Sequence, residues 1–184
     1  MIVVVVLVAL LIVGLLWWIG AYNGLVRQRQ EVKNAWSQID VQLKRRHDLI
    51  PNLVEAVKGY LAHERQTLEN VIKARTQAIN AENLKDKMAA ENFLTQTLRS
   101  LFAVSERYPD LKANQNVMAL QEELTSTENR ISFARQFYND QAMRLNAAIE
   151  SAPTNVVAGM MGFAKADFFE LADPASREAP AVKF

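Results

Sequence analysis

Apolar residues run almost unbroken from Ile2 to Ile19, reading IVVVVLVALLIVGLLWWI, and the first charged side chain after them is Arg27. A span of about 20 apolar residues matches the roughly 30 Å hydrocarbon core of a bilayer, so residues 1–22 are predicted to form a transmembrane anchor. Trp17, Trp18 and Tyr22 close the run. Their amphipathic rings suit the headgroup level, so these three are assigned to the membrane interface and the bilayer is placed to end near Tyr22. A cleaved signal would need a basic start, a shorter apolar core and small residues before the cut. Nothing basic precedes this run, and Trp17 and Trp18 stand where small residues are wanted, so the anchor is expected to be retained. Arg27, Arg29 and Lys33 outweigh Glu31 just beyond it. By the positive-inside rule the following domain is expected in the cytoplasm, with the N-terminus outside.

Past the anchor the pattern turns helical. Leu25, Val32 and Ile39 recur at heptad spacing, and Trp36, Leu43 and Ile50 form a second row of the same heptad. No proline interrupts the chain before Pro51, so the anchor helix is predicted to run on into the domain and to break near Asp48 to Asn52, where Pro51 removes a backbone donor. A second helix is predicted from Leu53 to about Ala81. A third runs from about Met88 to Arg107, with Tyr108-Pro109-Asp110 closing it and Asp110 or Asn114 placed to cap the next.

That next helix, about Asn116 to Glu150, carries a bulky row of Val117, Leu124, Ile131, Tyr138 and Leu145. Beside it lies a small or polar row of Leu120, Thr127, Ala134, Gln141 and Ala148. Two polar members make this a poor isolated coiled coil and a good seam within one bundle. Pro153 ends it. The stretch from Asn155 to Leu171 then gathers Val156, Val157, Met160, Met161, Phe163, Phe168 and Phe169 around Gly159 and Gly162. This is the candidate interaction surface. Three readings stay open for it: a lid over the bundle end, an oligomer interface, or a contact with the membrane. The domain is therefore set at 23–171, followed by a polar terminus, 172–184, expected to be disordered.

Composition supports an all-α fold, an antiparallel helical bundle with long heptad-patterned helices behind a single transmembrane helix. The 184 residues contain only 6 Gly and 5 Pro, too few for the turns of a sandwich or barrel. With 21 Lys+Arg against 20 Asp+Glu there is no basic excess, and no nucleic-acid partner is expected. The absence of cysteine rules out disulfides, thiolate metal sites and an acylated-cysteine anchor.

Tests for a catalytic constellation fail. A zincin motif starting at His63-Glu64 needs a second histidine where Thr67 stands, and a di-iron site needs glutamates where Lys44 and Tyr60 precede the two histidines by three residues. His47 and His63 are read as solvated helix-face residues or local hydrogen-bond partners. Glu122, Glu123 and Glu128, with Asn129, Arg130 and Arg135, admit two readings, paired carboxylates in a bundle interior and, preferred, solvated i,i+4 surface pairs. The run Lys44-Arg45-Arg46 is read as a short polar patch diluted by Asp48. No catalytic residue, metal site or cofactor is expected, and the protein is not expected to be an enzyme.

Four blocks in order resemble the LemA family of bacterial membrane proteins. They are YNGLVRQRQEVKNAWSQIDVQLKRRHDLIPNLVEAVKGYLAHE from Tyr22 to Glu64, RYPDLKAN from Arg107 to Asn114, LQEELTSTENRISFARQFYND from Leu120 to Asp140, and IESAPTNVVAGMMGF from Ile149 to Phe163. The resemblance implies an N-terminal anchor in the bacterial inner membrane and a helical bundle, without an established activity or cofactor. It also implies kinship with proteins associated with membrane shaping in magnetosome-forming bacteria and with others encoded near membrane proteases. The expected role is a non-enzymatic, membrane-anchored scaffold that self-associates or docks partners and organises the membrane. The alternative is an adaptor or regulator of another membrane protein, such as a protease. The expected partners are the lipid bilayer, further copies of the chain, and a membrane protein.

Overall fold

The computed structural model describes residues 1–169, so the predicted disordered terminus 172–184 lies outside the described residues. Among these residues six helices follow in order: α1 (Ile2–Lys58), α2 (Arg65–Asn80), α3 (Leu84–Ser105), α4 (Pro109–Lys112), α5 (Gln115–Glu150) and α6 (Thr154–Met160). Among the described residues there is no strand. The chain divides into two compact units. One joins Met1–Ile39 to Phe133–Phe168, and the other is built on Asp40–Ser132.

The expected break at Asp48 to Asn52 does not occur: α1 continues through Pro51 to Lys58. A proline inside a helix removes the donor to the carbonyl four residues earlier, here that of His47. Arg75 on α2 supplies the replacement, its Nε donating to the His47 carbonyl oxygen at 2.7 Å. The helix ends instead at Gly59, a residue of low helix propensity, and the amides of Tyr60 and Leu61 both close back on the Val57 carbonyl. The second helix consequently starts at Arg65 rather than Leu53.

Capping fixes the later boundaries. Asn83 accepts from the Asp86 amide at 2.8 Å, so α3 begins at Leu84, a full turn before the predicted Met88. Asn114 accepts from the amides of Asn116 and Val117, which makes it the cap of α5. Pro109 opens α4 at a position where its missing donor has no consequence.

In the unit built on Asp40–Ser132, one core draws on every helix present. Ile50, Leu53 and Val57 come from α1, Val71, Ala74 and Ala78 from α2, Leu94, Leu98 and Leu101 from α3, Leu111 from α4, and Val117 and Leu124 from α5.

In the other unit, Leu25, Val32, Ala35 and Ile39 of α1 are buried, as are Ala134, Tyr138, Ala142 and Leu145 of α5. Trp36 meets Tyr138 edge to face at 5.9 Å. Both predicted rows of α5 are realised across the two units: the five bulky members are buried, and Thr127, Ala134 and Gln141 are buried beside them.

Candidate interaction surfaces and a buried charge network

α1 is long and apolar enough to cross a membrane, and its most apolar window buries nothing within the protein. Trp17 and Tyr22 are exposed and Trp18 is half-buried at the end of that window.

The apolar tail reaches Tyr22. After Pro153 the chain forms α6, and periodicity sorts its side chains: Val157 and Ala158 turn inward, while Val156 and Met160 turn outward. Gly162, at φ 68°, takes the left-handed position that ends the helix, and the Phe163 amide bonds back to the Ala158 carbonyl at 3.0 Å. That reversal sets Phe163 against Tyr22, edge to face at 5.9 Å, and under the Arg29 guanidinium at 5.2 Å.

Beyond Phe163 the tail is strapped along α5. Asn146 bonds both backbone groups of Ala166, at 2.8 and 2.9 Å, and the Tyr138 hydroxyl donates to the Asp167 carbonyl at 3.0 Å. Burial, reinforced by the nearby Asp167 carboxylate, pushes the Tyr138 hydroxyl above its ordinary pKa and keeps it a donor. Of the predicted interaction residues, Val156, Met160, Met161 and Phe168 are exposed and Phe163 is partly covered. Val157 and Phe169 are withdrawn into the protein, so they leave the predicted surface.

A second exposed apolar feature lies elsewhere on α5. Phe133 is 70% exposed, and Phe137, one turn on, is also exposed.

The unit built on Asp40–Ser132 holds a buried charge network whose acidic centre, Glu91, no sequence motif singles out. Arg46 and Glu91 are both fully buried and ion-paired. Arg46 also pairs with Glu128 and donates to Thr95 at 2.8 Å, and Thr95 in turn donates to Glu128 at 3.0 Å. His47, 8% exposed, brings its Nε2 to 2.9 Å from the second Glu91 oxygen, within ion-pair distance although outside good hydrogen-bond geometry. Burial pushes the Glu91 carboxyl up, but His47 and the Arg46 guanidinium together outweigh it and hold the group below its ordinary value.

Arg46 therefore leaves the short polar patch, Glu128 follows the bundle-interior reading rather than the preferred solvated one, and His47 faces a partner rather than solvent. Position 46 continues the heptad row of Leu25, Val32 and Ile39, so Arg46 has to point into the bundle. Arg45 and Glu123 do form a partly exposed pair, and Glu122 and His63 stay exposed. Among the described residues no cluster of histidine, cysteine and acidic side chains has the makings of a metal site. Buried Glu91 turns one carboxylate oxygen to Arg46 and the other to His47, while partly buried Glu128 takes Arg46 and Thr95.

A model of the LemA family matches residues 35–184. Protein LemA of Metamycoplasma hominis is 26% identical, over 85% of this chain and 72% of its own length. Magnetosome protein MamQ 2 of Paramagnetospirillum magneticum is 26% identical, over 81% of this chain and 64% of its own. Magnetosome protein MamQ of Magnetospirillum gryphiswaldense is 23% identical, over 80% and 64%. The chain thus spans a little under two thirds of the magnetosome relatives.

Proposed function

The chain belongs to the LemA family, and from that premise we propose that it is a non-enzymatic scaffold, held in the bacterial inner membrane by α1, whose helical bundle self-associates through α5. The observation that carries this reading is the pair Phe133 and Phe137. Two large aromatic side chains, one turn apart on an outer helix face, expose apolar area of the kind that marks a protein contact when it recurs on a second copy. Bilayer contact does not account for them. Trp36 touches Tyr138, and at roughly 1.5 Å per helical residue that level is about 21 Å along α1 from Tyr22.

Two of the relatives are, by their names, magnetosome proteins, which accords with a role in organising an assembly. The test is the mass of the detergent-solubilised full chain by sedimentation, together with crosslinking in native membranes. Assembly that is lost in Phe133→Asp with helicity intact supports the reading. A monomer in both settings overturns it, and a heterologous crosslink alone would favour an adaptor to another membrane protein.

A further inference from the structure

The unit formed by Met1–Ile39 and Phe133–Phe168 has an end without charge. Between Glu150 and Lys165 the chain carries no ionisable side chain, and those two residues are themselves ion-paired, which folds the segment into a closed cap. Within the cap, α6 presents one apolar face inward through Val157 and Ala158 and a second outward through Val156 and Met160, with Met160 70% exposed. A soluble helix end normally shows polar residues on that outer side.

The height of this cap follows from two contacts. Trp36 meets Tyr138 at one level, and Phe163, in the turn after α6 that the Lys165–Glu150 pair holds at the end of α5, meets Tyr22 at another, so α5 runs antiparallel to α1. From Trp36 to Tyr22, α1 rises about 21 Å, and from Tyr138 to Glu150, α5 rises about 18 Å. α5 therefore ends just short of Tyr22, and α6 lies beside the aromatic residues at which the anchor leaves the bilayer. Arg29, stacked on Phe163, places a cationic group at the rim of the cap.

We propose that α6 and the turn after it form a second membrane contact, a foot whose outer face, Val156, Met160 and Met161, seats in the headgroup region of the same bilayer that α1 crosses. The partner is a lipid surface, and the proposal rests on the reading of α1 as an anchor. Continuity with the Tyr22 level selects lipid over a second copy, since an apolar face at that level meets the interface without any further association. Two points of attachment would fix the tilt of this unit on the membrane, which a single helix leaves free.

The chain has no cysteine, so single labels can be introduced without background. The chain carrying a nitroxide at Met160→Cys, Leu10→Cys or, as the water-exposed reference on α1 above the membrane, Gln38→Cys is reconstituted into vesicles of phosphatidylethanolamine and phosphatidylglycerol. Collision with lipid-soluble oxygen is then compared with collision with a water-soluble nickel complex. The expected result is an oxygen-to-nickel ratio at Met160 several-fold above that at Gln38 and below that at Leu10. A ratio at Met160 equal to that at Gln38, or shielding from both reagents as in a protein interface, overturns the foot while leaving the anchor intact. A water-exposed label at Leu10 overturns the anchor and the foot with it.

Discussion

Arg75 donates through Nε to the His47 carbonyl at 2.7 Å, filling the acceptor that Pro51 leaves without its helical donor. A fully buried, unsatisfied carbonyl costs about 1–3 kcal/mol and this one is part-buried, so Arg75→Leu is expected to lower stability by about 1 kcal/mol. Pro51→Ala supplies the helical donor that the proline lacks. In that background the same Arg75 substitution is expected to cost less than half as much, a coupling read by a double-mutant cycle in urea. Equal costs in the two backgrounds would mean that Arg75 matters for packing rather than for the helix.

Breaking the buried pair is expected to be more damaging. Arg46→Met leaves Glu91 charged and without its main partner at a fully buried position, which costs about 3–5 kcal/mol. Arg46→Met with Glu91→Leu removes both charges together and is expected to recover a large part of that loss. Thermal unfolding of the single and double variants checks it. A double variant less stable than Arg46→Met would show that Glu91 holds the fold by contacts other than the ion pair.

The same carboxylate sets a pH dependence. Because the folded-state pKa of Glu91 lies below the ordinary 4.5, its contribution is fully present above pH 4.5 and is lost as pH falls from there through the folded value. The groups facing it are Arg46 and His47 of α1, with Thr95 and Glu128 completing the network around Arg46. Glu91→Gln is expected to flatten the acid limb of the stability curve below pH 4.5 relative to the parent. An unchanged slope would assign acid sensitivity to other carboxylates.

The seam of α5 was legible in the sequence because its buried row is an unbroken heptad of large side chains, and heptad periodicity is insensitive to what the helix packs against. The exit from α1 was not. Whether Pro51 breaks a helix depends on a donor arriving from Arg75, far along the chain, and no local pattern contains that information. Arg46 lay between these cases. Its heptad position was visible, but its charge argued for solvent, and only the convergence of Glu91, Glu128 and Thr95 makes its burial affordable. The tail was recognised as unusually apolar, yet which of its residues face inward depended on α6 forming at all.

Substitutions in the seam separate the buried row from its flank. Leu124→Asp or Ile131→Asp places an unpaired charge in the core and is expected to cost about 3 kcal/mol or more. Exposed Glu122→Gln is expected to stay within about 0.5 kcal/mol of the parent. Similar midpoints for the three variants in chemical denaturation would contradict the observed burial.

The tail offers the most local test. Its course after α6 depends on Gly162 at φ 68°, and a side chain there would meet no neighbouring atom, so any cost of Gly162→Ala is conformational and expected at about 1–2 kcal/mol. Further along, Asn146 is bonded to both the amide and the carbonyl of Ala166, and Tyr138 holds the Asp167 carbonyl. Asn146→Ala removes two of these three bonds at once. Amide hydrogen exchange is the right measurement, because it reads the strap separately from the helices. In Asn146→Ala, protection at Ala166 is expected to fall while the α5 amides around Tyr138 and Ala142 keep theirs. If Ala166 stays protected, the strap is held by Tyr138 and by the Phe163 contact with Tyr22. Pairing Asn146→Ala with Tyr22→Ala would then be expected to release it.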